Sequence, residues 1–90
     1  MYKITFAQEA KEGLTKLKRS ELASFNKAVK LLQEIAIHPK TGTGHPEPLK
    51  GEPDNTWSRH ITKKHRLVYQ ILESEIRVYV LSSYGHYDDK

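Results

Sequence analysis

All four prolines and three of the five glycines of this 90-residue chain fall between residues 39 and 56, in PKTGTGHPEPLKGEPDNT. Proline fixes φ and removes a backbone donor, and glycine favours no regular element. The stretch therefore reads as a loop, and the chain must build its regular structure in two halves on either side of it. Leu49 within it and Trp57 just after it are apolar enough to pin the segment to the body rather than leave it free.

Upstream, Tyr2-Lys3-Ile4-Thr5-Phe6 alternates apolar and polar residues, the pattern of a half-buried strand. Helical spacing follows over Ala7–Lys18, with Ala10, Leu14 and Leu17 on one face and Gly13 as a weakening residue. Ser20 is placed to cap a second helix, in which Leu22, Phe25, Val29, Leu32 and Ile35 or Ala36 recur at three- and four-residue steps. Pro39 stops that helix, because the residue before a proline is disfavoured in the α region. The two helices should form a hairpin with one apolar seam.

Downstream, Trp57–Ile61, His65–Leu72 and Glu75–Ser82 read as strands, the last two joined by a turn at Glu73-Ser74. Ile76, Val78 and Val80 would share one face of the last strand, and Arg77, Tyr79 and Leu81 the other. Arg66 and Val68 point opposite to Leu67 and Tyr69, but periodicity leaves open which set meets the helices. The expectation is a single α+β domain over residues 1–90. It has an N-terminal strand, a helix hairpin, then a small antiparallel sheet, with the helices on one face.

A hydrophobic share of 37% supports one core in a chain this short, with little left to enclose a deep site. Any chemistry should lie on a shallow surface, which suits a polymer better than a small metabolite. The absence of cysteine excludes disulfides, thiolate nucleophiles and cysteine-bound zinc. The opening MYKITFAQEAKEG carries charges every few residues and no signal-type apolar run, and nothing approaches a membrane span, so a soluble cytoplasmic protein is expected. The net charge of +4 and pI of about 9.4 favour an anionic partner.

Four segments carry candidate chemistry: His45-Pro46-Glu47-Pro48-Leu49-Lys50, Trp57-Ser58-Arg59-His60-Ile61, His65-Arg66-Leu67-Val68-Tyr69 and Tyr84-Gly85-His86-Tyr87. Together they supply a carboxylate, cations, imidazoles and aromatic rings. Cleaving RNA without a metal needs that set: a base for the ribose 2′-hydroxyl, a cation for the charge building at phosphorus, and an acid for the leaving 5′-oxygen. Rings give bases a surface to stack on. Arg66 in an apolar strand must find a partner, commonly an ion pair, and Trp57 reads as a core anchor before it reads as a stacking platform. The five histidines show no short zinc-ligand spacing, so neither a metal nor another cofactor is expected.

In order and interval these segments resemble the YoeB/Txe family of toxins within the RelE-like group. The resemblance rests on Pro46-Glu47-Pro48-Leu49-Lys50, Trp57-Ser58-Arg59-His60-Ile61-Thr62, His65-Arg66-Leu67-Val68-Tyr69 and His86-Tyr87, and covers essentially the whole chain. It implies a microbial-RNase-like sheet with two N-terminal helices. It also implies an endonuclease that cuts mRNA in the ribosomal 30S A site, an antitoxin that silences it, and a homodimer. By the same resemblance Glu47 is the general base, His86 the general acid, Arg66 the transition-state cation and Tyr87 a positioning group. Lys50 and Arg59 would by the same resemblance add phosphate contacts, and His60 and Trp57 are expected to join them in binding RNA. A gyrase-binding relative lacks the combined Glu–Arg–His-Tyr set, and a plain RNA-binding module would not need it; these are the alternatives.

Two features depart from the family pattern. Arg59-His60 stands where two arginines are usual, and Asp88-Asp89-Lys90 follow the His-Tyr pair. Asp88, two residues from His86, is expected to favour the protonated imidazole that a general acid requires. The net positive charge suits an acidic antitoxin segment that folds on binding.

Overall fold

The computed structural model describes residues 1–85. Strand β1 (Lys3–Phe6) leads into helices α1 (Gln8–Ser20) and α2 (Leu22–Ile37), then β2 (Glu47–Pro48), β3 (Thr56–His60), β4 (Arg66–Leu72) and β5 (Arg77–Ser82). The five strands form one sheet in the order β1-β5-β4-β3-β2. The α+β class and the helix hairpin agree with the sequence reading, but the sheet is mixed: β1 lies parallel to β5, with Lys3 opposite Arg77 and Phe6 opposite Val80. Parallel neighbours need a long crossover, and the helix hairpin is part of that connection. A further two-residue strand, β2, emerges from the proline-rich loop and pairs with β3.

Both helices cover one face of the sheet. Ala10 and Leu17 of α1 and Ala28, Leu31 and Ile35 of α2 pack against Ile61, Leu67, Tyr69, Ile71, Val78 and Val80. This settles the parity that periodicity left open: Leu67, Tyr69 and Ile71 meet the helices, and Arg66, Val68 and Gln70 face away. Among the described residues no helix is long and apolar enough to cross a membrane.

Three local expectations change. Ser20 does not cap α2; it is the last residue of α1, and its hydroxyl donates to Lys16 O at 2.8 Å. A single residue, Glu21, joins the helices, and its side chain is used elsewhere. Gly13, read as a weak point, lies where α1 approaches the end of β5. An added Cβ there would sit 2.4 Å from Ser83 Oγ.

The third change is at the β4–β5 turn, a 3-10 turn over Glu73–Glu75 followed by Ile76 in the left-handed region at φ 49°. Ile76 is therefore exposed in the turn and does not share the strand face of Val78 and Val80. A β-branched residue is strained at positive φ. Ile76→Asn, which tolerates that conformation, should stabilise the protein by about 1 kcal/mol, raising the thermal midpoint by roughly 4–8 °C. A lowered midpoint in a calorimetric scan would contradict the strain argument.

Candidate active site

The sheet face away from the helices gathers part of the expected inventory. Register places Glu47 opposite Ser58, Ser58 opposite Val68, and Val68 opposite Ser82, with His60 opposite Arg66 one step along. Directly opposed residues share a face. Glu47 and Arg66 are separated by two strand spacings and two residues, about 12 Å between Cα atoms in standard sheet geometry. Two long side chains on one face can close on a single phosphodiester across that gap. Glu47 is exposed on the edge strand. Arg66 is half-buried, and its Nε is shielded from solvent with no hydrogen-bond partner among the described residues. The structural ion pair that the sequence suggested for Arg66 is absent among those residues.

The end of β5 is shaped by a bulge. Tyr69 pairs with Val80 but Val68 with Ser82, leaving Leu81 as an extra residue. Ser82 thereby joins the row of Glu47, while Ser83 turns to the helices and its hydroxyl donates to Ala10 O at 2.7 Å. Gly85 is then held twice: its carbonyl accepts from Arg66 N–H at 3.1 Å, and its N–H donates to His65 Nδ1 at 2.8 Å. His65 Nε2 lies 2.9 Å from Glu21 Oε2, and the Tyr84 ring is 4.5 Å from the imidazole. This hydrogen bond holds the Glu21 carboxyl below its ordinary range. His86, Tyr87 and the Asp88-Asp89-Lys90 extension lie outside the described residues.

Arg59 is a correction. It was expected on phosphate but is fully buried on the helix side, and its guanidinium is committed. Nε donates to Tyr69 Oη at 3.0 Å. Nη1 meets Glu34 Oε1 at 2.6 Å and Thr43 O at 3.3 Å. Nη2 donates to His38 O at 2.5 Å and Thr41 O at 2.8 Å. The Tyr69 hydroxyl donates in turn to Pro39 O at 2.8 Å, and burial pushes this phenol above its usual range. No N–H of Arg59 is left for a substrate, because strand parity sends residue 59 inward with Leu67.

This hub straps the start of the proline-rich loop to the core. Glu34 completes it by accepting from Thr43 N–H at 2.7 Å and from the Thr43 hydroxyl at 3.2 Å. The Thr43 backbone bond, with Arg59 beside it, holds the Glu34 carboxyl below its ordinary range. Gly42 at φ 123° is required here: a Cβ would lie 2.4 Å from Glu34 Oε1.

Trp57 shares the inward parity of Arg59. It is half-buried, packs against the core and lies between Pro48 and Tyr69, on the face opposite Glu47 and Arg66. It is an anchor rather than a stacking platform on that surface. His60 stays on the outer face beside Arg66, with its ring 5.9 Å from that of His45 and its N–H on Gly44 O. Lys50 is exposed in the turn after β2. Among the described residues, no cluster of three or more His, Cys, Asp or Glu side chains could hold a metal ion. Glu21, Glu34 and Ser83 were missed by sequence reasoning: Glu21 is 44 residues from His65, and no spacing rule joins them.

Comparison with known proteins fits this architecture. Residues 6–87 match the family model described as YoeB-like toxin of bacterial type II toxin-antitoxin system. The chain is 36% identical over 74 residues to Toxin YoeB of Streptomyces coelicolor, covering 82% of this chain and 88% of that protein. The solved structure of a YoeB/ParE toxin from Agrobacterium tumefaciens superposes with a TM-score of 0.87 at 32% identity, covering 94% of this chain and 99% of that one. A toxin chain in the heterotetrameric YoeB-YefM toxin-antitoxin complex from Staphylococcus aureus does so at 0.81 and 30%, covering 97% and 99%. On this match and this fold, the chain belongs to the YoeB-like toxins of bacterial type II toxin–antitoxin systems.

Proposed function

We propose that this toxin is a ribosome-dependent mRNA endonuclease that acts as one domain over residues 1–90. The observation that supports it most is the shared outer face of Glu47 and Arg66, with the Gly85 carbonyl bonded to the Arg66 backbone. Gly85, the residue before His86 in the chain, thus sits beside Arg66. Glu47 takes the proton of a ribose 2′-hydroxyl, and the 2′-oxygen bonds to the adjacent phosphorus. As the bond from phosphorus to the 5′-oxygen breaks, His86 returns a proton to that oxygen. The products are a 2′,3′-cyclic phosphate and a 5′-hydroxyl. Arg66 stabilises the charge on the phosphorane, Tyr87 orients the substrate, and Lys50 and His60 steady flanking phosphates. No metal or other cofactor takes part in this scheme.

A shallow, weakly basic surface gives little positioning of its own, so the ribosomal A site supplies that term. The partner is a cognate antitoxin whose acidic segment complements the net charge of +4, as YefM partners the similar staphylococcal toxin. The toxin acts in the cytoplasm, where its substrate is, and pairs with a second copy of itself when free. The test is a reconstituted translation system containing EDTA-insensitive detection of cut mRNA, with and without ribosomes. Cuts in the A-site codon that need ribosomes and disappear in Glu47→Ala support the reading. Intact mRNA would overturn it, and cleaved plasmid accumulating on expression would favour a gyrase poison.

A further inference from the structure

We infer that His65 is a positioning residue for the carboxy-terminal active-site segment, acting through its Nδ1 as the acceptor that fixes Gly85. The inference rests on the nuclease reading, since it assigns a purpose to the peptide that precedes His86. Nδ1 accepts from Gly85 N–H at 2.8 Å, so it carries no proton; Nε2 carries it and donates to Glu21 Oε2 at 2.9 Å. The ring is therefore neutral, and its contact with Glu21 is a hydrogen bond that sets the tautomer, as a partner on the second ring nitrogen does.

The geometry around Gly85 is over-determined. His65 and Arg66 are consecutive and point to opposite faces of the sheet. Gly85 is gripped by both, through the imidazole of one and the backbone N–H of the other. His65 is itself almost wholly buried against Ile61, whose N–H donates to the His65 carbonyl, and the Thr62 hydroxyl accepts from His65 N–H. The Tyr84 ring leans on the imidazole, with Lys16 Nζ 5.1 Å from that ring, and Lys64 acts on Glu21 electrostatically. The Gly85 carbonyl is thus referenced to Arg66, the residue proposed to carry the transition-state cation, and the Gly85 N–H to His65 just before it. His86 follows Gly85 directly in the chain, so an error in the Gly85 peptide is passed to the general acid. Misplacement of a reacting group by about 1 Å costs on the order of 100-fold in rate.

The two halves of the imidazole can be separated by substitution. In His65→Asn the amide oxygen takes the place of Nδ1 and can still accept from Gly85, while Glu21 loses its partner. In His65→Gln the amide reaches the place of Nε2 and keeps Glu21, while Gly85 loses its acceptor. Backbone amide exchange at Gly85 should stay slow in His65→Asn and become fast in His65→Gln. Ribosome-dependent cleavage should stay within about tenfold of wild type in the first and fall about 100-fold in the second, with apparent affinity for ribosomes unchanged. A merely structural role, in which the buried ring only holds Glu21, gives the reverse order and overturns the inference.

Nitrogen chemical shifts of the His65 ring in the wild type provide a check that needs no variant. The Nε2–H tautomer is expected at neutral pH, and an imidazolium would overturn the proposal. Glu21→Gln should leave tautomer and cleavage little changed, because a glutamine oxygen accepts from Nε2–H equally well. Failure of the nuclease reading is separable: wild type would then leave mRNA intact whatever the exchange rate at Gly85.

Discussion

Arg59→Ala is expected to lower folding stability by about 3–5 kcal/mol, the usual result of breaking a buried ion pair by removing one partner. A 90-residue domain has only about 5–13 kcal/mol in total, so the variant should unfold on the order of 12–40 °C below wild type. The expectation rests on complete burial of the guanidinium and on its bonds to Glu34, Tyr69 and three backbone carbonyls. Arg59→Lys should fail by a smaller margin, since one ammonium cannot replace a five-donor fork. The Glu34 carboxyl sits below its ordinary range because Thr43 N–H and Arg59 favour its charged form. Its contribution is therefore full above the unfolded carboxylate value and disappears only as pH falls through the lower folded one. Thermal melts at pH 7 and pH 5 should show nearly the same gap between wild type and Arg59→Ala. A gap below about 1 kcal/mol, the range of exposed pairs, would refute the hub.

Arg66→Ala should behave in the opposite way, folding normally while losing 100- to 1,000-fold in mRNA cleavage, the usual loss when one preorganised charge-stabilising group is removed. Its side chain is half-buried, with Nε unpartnered among the described residues, so little folding energy depends on the guanidinium head. Arg66→Lys should recover part of the rate, because a point charge remains without the planar fork. Primer extension on mRNA from a reconstituted translation reaction measures the rate, and circular dichroism confirms the fold. Undiminished cutting in Arg66→Ala would remove this residue from the mechanism and the outer face from consideration as the site. Together the two arginines form a paired control: Arg59→Ala is expected to lose stability, and Arg66→Ala to keep the fold and lose rate.

The contrast also shows what the sequence could and could not reveal. Helix periodicity located α1 and α2 to within two residues, since an apolar seam recurring every three or four positions has few other uses. The β4–β5 hairpin was legible from its runs of Val, Ile and Tyr. The parallel pairing of β1 was not, because strand direction depends on where the helix hairpin delivers the chain. Arg59 and Arg66 look alike in one dimension, each a cation among apolar neighbours. Only the odd-numbered set in β4 and its partners in β3 face the helices, and that parity became visible when the core was seen. Glu47 and Arg66 were named from the resemblance to the YoeB/Txe motifs, since residue type alone favoured a solvated carboxylate and a structural ion pair; the route by which Gly85 is tied to Arg66 and His65 depends on a bulge and on a glutamate far away in the chain.

The strap over residues 38–43 is gripped largely by main-chain atoms: the carbonyls of His38, Pro39, Thr41 and Thr43 and the amide of Thr43. A peptide carbonyl is the same whatever side chain it carries. Apart from Gly42 and Pro39, this segment can therefore change its exposed side chains over generations while Glu47, which follows it, keeps its place. The outer lettering of this part of the surface is thus free to drift while the path of the chain that carries Glu47 stays the same.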